Sequence, residues 1–195
     1  MDKYKITQSL LGSLDWMYKK DDGYEEFLKT LNRVKEPPTE AMLNGQRFEG
    51  MINAALDGNP IPEDHEWYKP VKNLSRYLAG SQQQVSIFKD IEVEGEHILL
   101  HGILDFLRKG VIYDTKFSKT YKVGKYFKSP QQPMYFTLVP EAYRFEYLIC
   151  DGTYCYREKY DREETEPIEP RIRDFLRFLK RNNLMDIYRE KWRVG

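Results

Sequence analysis

The hydrophobic positions change period along the chain. Over residues 4–20, YKITQSLLGSLDWMYKK, Ile6, Leu10, Leu14 and Met17 recur at helical spacing, with Thr7 placed to cap the helix. A second short helix is predicted over Tyr24–Asn32, burying Phe27, Leu28 and Leu31. The break Glu36-Pro37-Pro38-Thr39 follows. Thr39 then caps a helix over roughly 40–57, with Met42, Phe48, Ile52 and Leu56 as its apolar positions. Gly58-Asn59-Pro60-Ile61-Pro62 ends that helix, and residues 68–81 read as one more. From about Gln84 the period falls to that of a strand. QVSIFKDIEV, HILLHGILDFL and VIYDTKF are predicted strands, the last two joined by a tight Lys109-Gly110 turn. SPQQPMYFTLV returns to helix, capped by Ser129 with Pro130 at its first position, and Pro133 is tolerable only near that start. YRFEYLIC and TYCYREKY are further strands joined across Asp151-Gly152. PRIRDFLRFLKRNNLMDIYREKW is amphipathic helix, interrupted near Asn182-Asn183. Helices, strands, helix, strands and helix in that order predict an α/β fold with a mixed sheet flanked by helices.

The 195-residue length fits one domain. Its expected parts are a mainly helical 1–81, a sheet with its following helix over 82–160, and C-terminal helices over 161–195. Hydrophobic content of 41% and charged content of 32% exclude a disordered chain. No apolar run approaches the ~20 residues of a spanning helix, and the N-terminus lacks a signal-peptide pattern, so no membrane association and a cytoplasmic location are expected. Net charge is zero, against binding nucleic acid through bulk charge, but the charge is sorted along the chain. Residues 116–128, KFSKTYKVGKYFK, hold five lysines and no acid. Arg157–Glu169 is acid-rich, and the stretch from Arg171 to Arg193 is basic again. There Arg171, Arg173, Arg177, Lys180 and Arg181 read as an ordinary solvated helix face.

Candidate chemistry concentrates on the Lys109-Gly110 hairpin. Asp105 and Asp114 each place a carboxylate in a strongly apolar strand, and Lys116 shares a face with Asp114. Charges in such strands are costly unless they are paired or bind metal. A strand-to-strand ion pair is one reading. The other is a site for Mg²⁺ or Mn²⁺, which prefer a few carboxylates plus water and substrate oxygens, as phosphodiester hydrolysis requires. Thr115 is expected on the opposite face, with its backbone carbonyl free as a further ligand. Lys116 then orients the attacking water, lowers its pKa or steadies the developing charge, and Glu49 completes the shell if packing brings it there. Gln131 and Tyr135, four apart, share a helix face near an N-terminus that favours phosphate. Lys119, Lys122, Lys125 and Lys128, interleaved with Tyr121, Tyr126 and Phe127, suit phosphate contacts and base stacking. Cys150 and Cys155 form no CxxC pair and read as packed thiols, and His65, His97 and His101 are isolated.

Taken together these motifs resemble the PD-(D/E)XK nuclease superfamily in its RecB-like and phage-exonuclease branches. GILD at 102–105 is similar to the first acidic motif, VIYDTK at 111–116 to the D-x-K motif, and Gln131–Tyr135 to Q-x-x-x-Y. Gly45-Gln46-Arg47-Phe48-Glu49 resembles the upstream helix motif, in which a glycine precedes a metal ligand by four residues. Glu49 stands where many RecB-like enzymes have histidine, which favours the phage-like branch. The resemblance implies a restriction-endonuclease-like core and a metal-dependent deoxyribonuclease. Glu49, Asp105, Asp114 and the Thr115 carbonyl would bind the metal, Lys116 would be catalytic, and Gln131 and Tyr135 would organise the substrate side. An exonuclease acting on double-stranded DNA ends in recombination or replication, encoded by a phage or prophage, is the leading expectation. An endonuclease of the same fold and an inactive nucleic-acid-binding module are the alternatives. A homo-oligomer and a recombination partner are both compatible with the resemblance. Two cysteines cannot supply the four that an iron–sulfur cluster in this superfamily needs.

Overall fold

The chain enters the fold as a strand. In this computed structural model, which describes residues 2–195, β1 spans Lys3–Thr7, where the four-residue spacing from Ile6 predicts helix. Tyr4 and Ile6 are buried and Lys3, Lys5 and Thr7 face outward, so the segment also satisfies a period of two. The helix begins one residue later. Thr7 is its N-cap as expected, its Oγ1 accepting from the Leu10 N–H at 3.3 Å to start α1 (Gln8–Met17). α2 (Gly23–Leu31), α3 (Glu40–Leu56, capped by Thr39) and α4 (Tyr68–Leu78) follow near their predicted places.

Three strands then run without interruption: β2 (Gln82–Val93), β3 (Glu96–Arg108) and β4 (Val111–Phe117). Lys109 and Gly110 both have positive φ, the conformation a two-residue hairpin needs to match the strand twist. α5 (Gln131–Leu138) starts at Gln131 rather than Pro130, with the Ser129 Oγ accepting from the Gln131 N–H at 3.2 Å. β5 (Arg144–Cys150) and β6 (Cys155–Asp161) are joined by residues 151–154, a longer loop than the two-residue turn expected. The Asp151 carboxylate accepts from the Thr153 and Tyr154 N–H groups, both at 2.8 Å, and so holds the wider loop. The C-terminal helix divides at Asn183, which has φ +57°, into α6 (Glu169–Arg181) and α7 (Met185–Lys191). A short β7 (Arg193–Val194), absent from the sequence reading, pairs antiparallel with β1.

The seven-stranded mixed sheet runs β6-β5-β4-β3-β1-β7, with β2 on the remaining edge of β3. β1 with β3 and β4 with β5 are parallel; the other pairs are antiparallel. One face of the sheet packs on α1, α2, α5, α6 and α7 through Leu10, Phe27, Met134, Phe175 and Tyr188. The other packs on α3 and α4 through Phe48, Ile52, Val71 and Leu74. Each such side chain contributes about 1.5–3 kcal/mol on burial. No helix among the described residues is long and apolar enough to cross a membrane.

Candidate functional site

The site forms where the ladder fails. β2 occupies one edge of β3, so β1 and β4 must share the other: β1 pairs with Ile98–His101 and β4 with Phe106–Arg108. Residues 102–105 between them have no strand partner on that edge, and side chains stand in. The Tyr135 hydroxyl donates to the Ile103 carbonyl at 2.8 Å, and the Thr115 N–H donates to Asp105 Oδ2 at 2.8 Å. Alternation along β3 also shifts here. Ile98, Leu100 and Leu104 point into the core beneath α5, whereas Phe106 packs with α3 and α4. Opposite Asp105, Gln84 of β2 sits at φ +51°, outside the strand region. Thr115, expected to face away, therefore reaches Asp105 with its hydroxyl as well, at 3.2 Å.

β3 and β4 part immediately beyond the Phe106–Tyr113 pair, and Asp105 and Asp114 flank the opening. Asp114 is buried. Its Oδ1 accepts from the Gln131 side-chain amide, while its Oδ2 accepts no hydrogen bond. Lys116 Nζ lies 2.5 Å from that oxygen but off the hydrogen-bonding direction. Glu49 enters from α3 on the far side of the sheet, half-buried, and accepts from the Gln84 amide. The charges of all four groups act on one another. Burial, then the Asp114 charge, pushes the Asp105 carboxyl well above the usual carboxylate range. Burial also raises Glu49, partly offset by the Gln84 hydrogen bond. Burial alone would discharge Lys116, but the Asp114 and Asp105 carboxylates overcome it and raise its pKa.

Among the described residues no three His, Cys, Asp or Glu side chains converge as a ready-made metal cage. Each carboxylate is turned onto its own partner: Glu49 onto Gln84, Asp105 onto Thr115, Asp114 onto Gln131 and Lys116. The donor set nevertheless fits a hard divalent cation. A buried Asp114 oxygen without a hydrogen-bond donor and two carboxyls of raised pKa are anionic oxygen ligands that burial disfavours in isolation. Asp105, Asp114, Glu49 and the Thr115 carbonyl are the residues that could hold one.

Gln131 and Tyr135 are buried, so the structure places them on the protein's own groups rather than on an exposed surface. Gln131 links Asp114 to the Tyr147 hydroxyl, which donates to its Oε1 at 3.2 Å. Lys119, Lys122, Lys125 and Lys128 are all exposed on the loop after β4, and among the described residues none pairs with a carboxylate. A buried carboxylate pins that loop: Glu158 accepts from the Tyr121 hydroxyl (2.6 Å), the Gly124 N–H (2.7 Å) and the Tyr160 hydroxyl (2.6 Å). Gln84, Tyr147 and Glu158 escaped the sequence reading. A glutamine in a polar strand, a core tyrosine and one glutamate in an acid-rich stretch carry no local signal. Cys150 is buried as a packed thiol, whereas Cys155, opposite it across the β5–β6 pair, is exposed on the outer strand rather than packed as expected.

No family model matches the chain, and no curated protein matches it. Among solved structures it is similar to a crystal structure of SSO0001, with a TM-score of 0.54 and 17% identity over 90% of this chain and 76% of the other. That likeness extends to the fold.

Proposed function

We propose that the chain is a metal-dependent nuclease with a PD-(D/E)XK-type core, acting on DNA ends as a phage-type exonuclease in recombination or replication. One observation carries the reading. A buried aspartate is held between a lysine and a glutamine at the point where two central strands part, with a second aspartate across the opening. Mg²⁺ or Mn²⁺ held by Asp105, Asp114, Glu49 and the Thr115 carbonyl would neutralise phosphate charge and acidify water. The Asp114 and Asp105 carboxylates raise the Lys116 pKa against its burial, and its part is to orient water and steady charge on the phosphate. Gln131, braced by Tyr147, fixes the Asp114 carboxylate, and the Tyr135 hydroxyl holds β3 open beside it. The unpaired loop lysines suit backbone phosphates in duplex DNA.

Purified wild-type protein, Asp114→Asn and Lys116→Gln are incubated with linear and covalently closed circular duplex DNA, with Mg²⁺, Mn²⁺ or chelator. The expected result is metal-dependent loss of the linear DNA alone, reduced at least about a hundredfold in both variants. Cleavage of the circle would assign an endonuclease of the same fold. Wild-type protein that binds DNA and Mn²⁺ but cleaves neither substrate would refute the assignment.

A further inference from the structure

The side of the sheet leading away from Asp105 carries an exposed aromatic stack. Outward-facing residues of β1, β3 and β2 line up in rows set by the strand register: Thr7, His101 and Phe88 in one, Ile103 and Ser86 in the next; Asp105 follows where the alternation shifts. Phe88 is 55% and Ile103 47% exposed. The Phe88 and His101 rings lie 4.3 Å apart at 9°, and His101 Nε2 and Ser86 Oγ, 3.1 Å apart, share a hydrogen bond that fixes the imidazole. Lys5 Nζ stands 5.8 Å from the Phe88 ring centre. Lys5 and its neighbour Arg33 pair with no carboxylate among the described residues, and their mutual repulsion, after burial, lowers the Lys5 pKa. Between this row and the opening runs a shallow groove lined by Thr7, Ser9, His101, Gly102, Ile103 and Tyr135.

We infer that this face is a track for a single-stranded stretch of nucleic acid, with a base stacking on Phe88 and backbone phosphates beside Lys5. The occupant follows from the chemistry. A flat, exposed ring stacked on a hydrogen-bonded imidazole beside an unpaired lysine suits a π-faced polyanion, whereas a protein interface would favour a broader apolar surface. Continuity gives the direction. Asp105 lies four steps along β3 from His101, about 13 Å at ~3.3 Å per residue, so a strand whose phosphate reaches Asp105 lays neighbouring bases along Ile103 and the stack. That direction rests on the nuclease reading; the binding itself does not.

Metal-free binding tests the track by itself. Fluorescein-labelled oligo(dT) and a blunt duplex are titrated with wild type, Phe88→Ala, Phe88→Tyr and Lys5→Gln in chelator, following anisotropy, with melting curves confirming each fold. Phe88→Ala should weaken oligo(dT) binding about 5- to 150-fold, the range for one lost base stack, while Phe88→Tyr retains it and duplex affinity changes little. Lys5→Gln should lower the slope of log affinity against log salt by about 0.7. Wild-type oligo(dT) binding unchanged by Phe88→Ala would overturn the track. Cleavage by wild type, abolished in Asp114→Asn, would in that case leave the nuclease reading standing. If Phe88→Ala instead shifts the sedimentation of the protein from dimer to monomer, the face joins copies of this chain and the inference falls.

Discussion

An added methyl group at Gly102 tests the packing that opens the sheet. A Cβ there would stand 2.7 Å from both Leu138 Cδ1 and Tyr135 Cε1, and 3.2 Å from Tyr135 Cδ1. Carbon contacts settle at about 3.5–4.0 Å, so α5 must retreat by roughly 1 Å or two buried side chains must leave their rotamers. Neither has free space, since Tyr135 and Leu138 are 6% and 5% exposed. Overpacking of this kind costs about 1–3 kcal/mol. Moving Tyr135 also stretches its 2.8 Å hydrogen bond to the Ile103 carbonyl, which no strand replaces, at a further ~1 kcal/mol. The stiffer unfolded chain of Gly102→Ala returns about 0.4–1 kcal/mol. The expected net loss is about 1–3.6 kcal/mol, read as a lowered urea midpoint at constant slope. Leu138→Ala should absorb part of the strain, so Gly102→Ala and Leu138→Ala combined should cost less than their sum. Strict additivity, or a wild-type midpoint in Gly102→Ala, would refute the reasoning.

Other expected outcomes follow from the charges and the loop. Asp105 and Glu49 are raised by burial, so cation binding there must displace protons. Mn²⁺ affinity should climb with pH through the raised carboxylate range and then level, with calorimetry in buffers of different ionisation enthalpy counting the released protons. For metal-free stability the sign is opposite. A raised folded pKa stabilises below the unfolded value and loses that contribution as pH rises through the folded one, so Asp105→Asn should not lower, and should raise, the melting temperature at pH 7. A fall of several degrees would contradict the burial argument. Glu158→Gln removes the charge that gathers Tyr121, Gly124 and Tyr160, and trypsin should then cut the lysine loop faster; an unchanged rate would show that the loop is held elsewhere.

Most of the architecture was legible in the chain because its helices and central strands carry strong periodicity, caps and turn residues, as at Thr39, Lys109-Gly110 and Asn182-Asn183. β1 was not, since Ile6 satisfies a period of two and of four at once, and only pairing with β3 decides between them. β7 was too short to show any period. For the site, Asp105, Asp114 and Lys116 stood out as charges in apolar strands, and the structure sets them and Glu49 where their charges act on one another, each carboxylate turned onto its own partner. The groups that orient them did not stand out. Gln84 acts through a backbone conformation that its residue type does not announce, while Tyr147 acts on Gln131 of α5 and Glu158 on the loop after β4, each from a strand later in the chain. Gln131 and Tyr135 were legible as a pair, but burial turns them inward onto Asp114 and Ile103.

The unpaired interval on β3 has a mechanical consequence. The β4-β5-β6 wing of the sheet and the β1-β7 wing meet only through β3, with β2 as its backing. On that edge of residues 102–105, a glycine among them, side-chain bonds from Tyr135 and Thr115 stand where a backbone ladder would be, and the β2 ladder alone continues past Gly102–Leu104. Bending of β3 and β2 at this interval would therefore alter the opening between Asp105 and Asp114. A load on either wing, such as a polymer drawn across the surface, would be felt first as a change in the spacing of those two carboxylates.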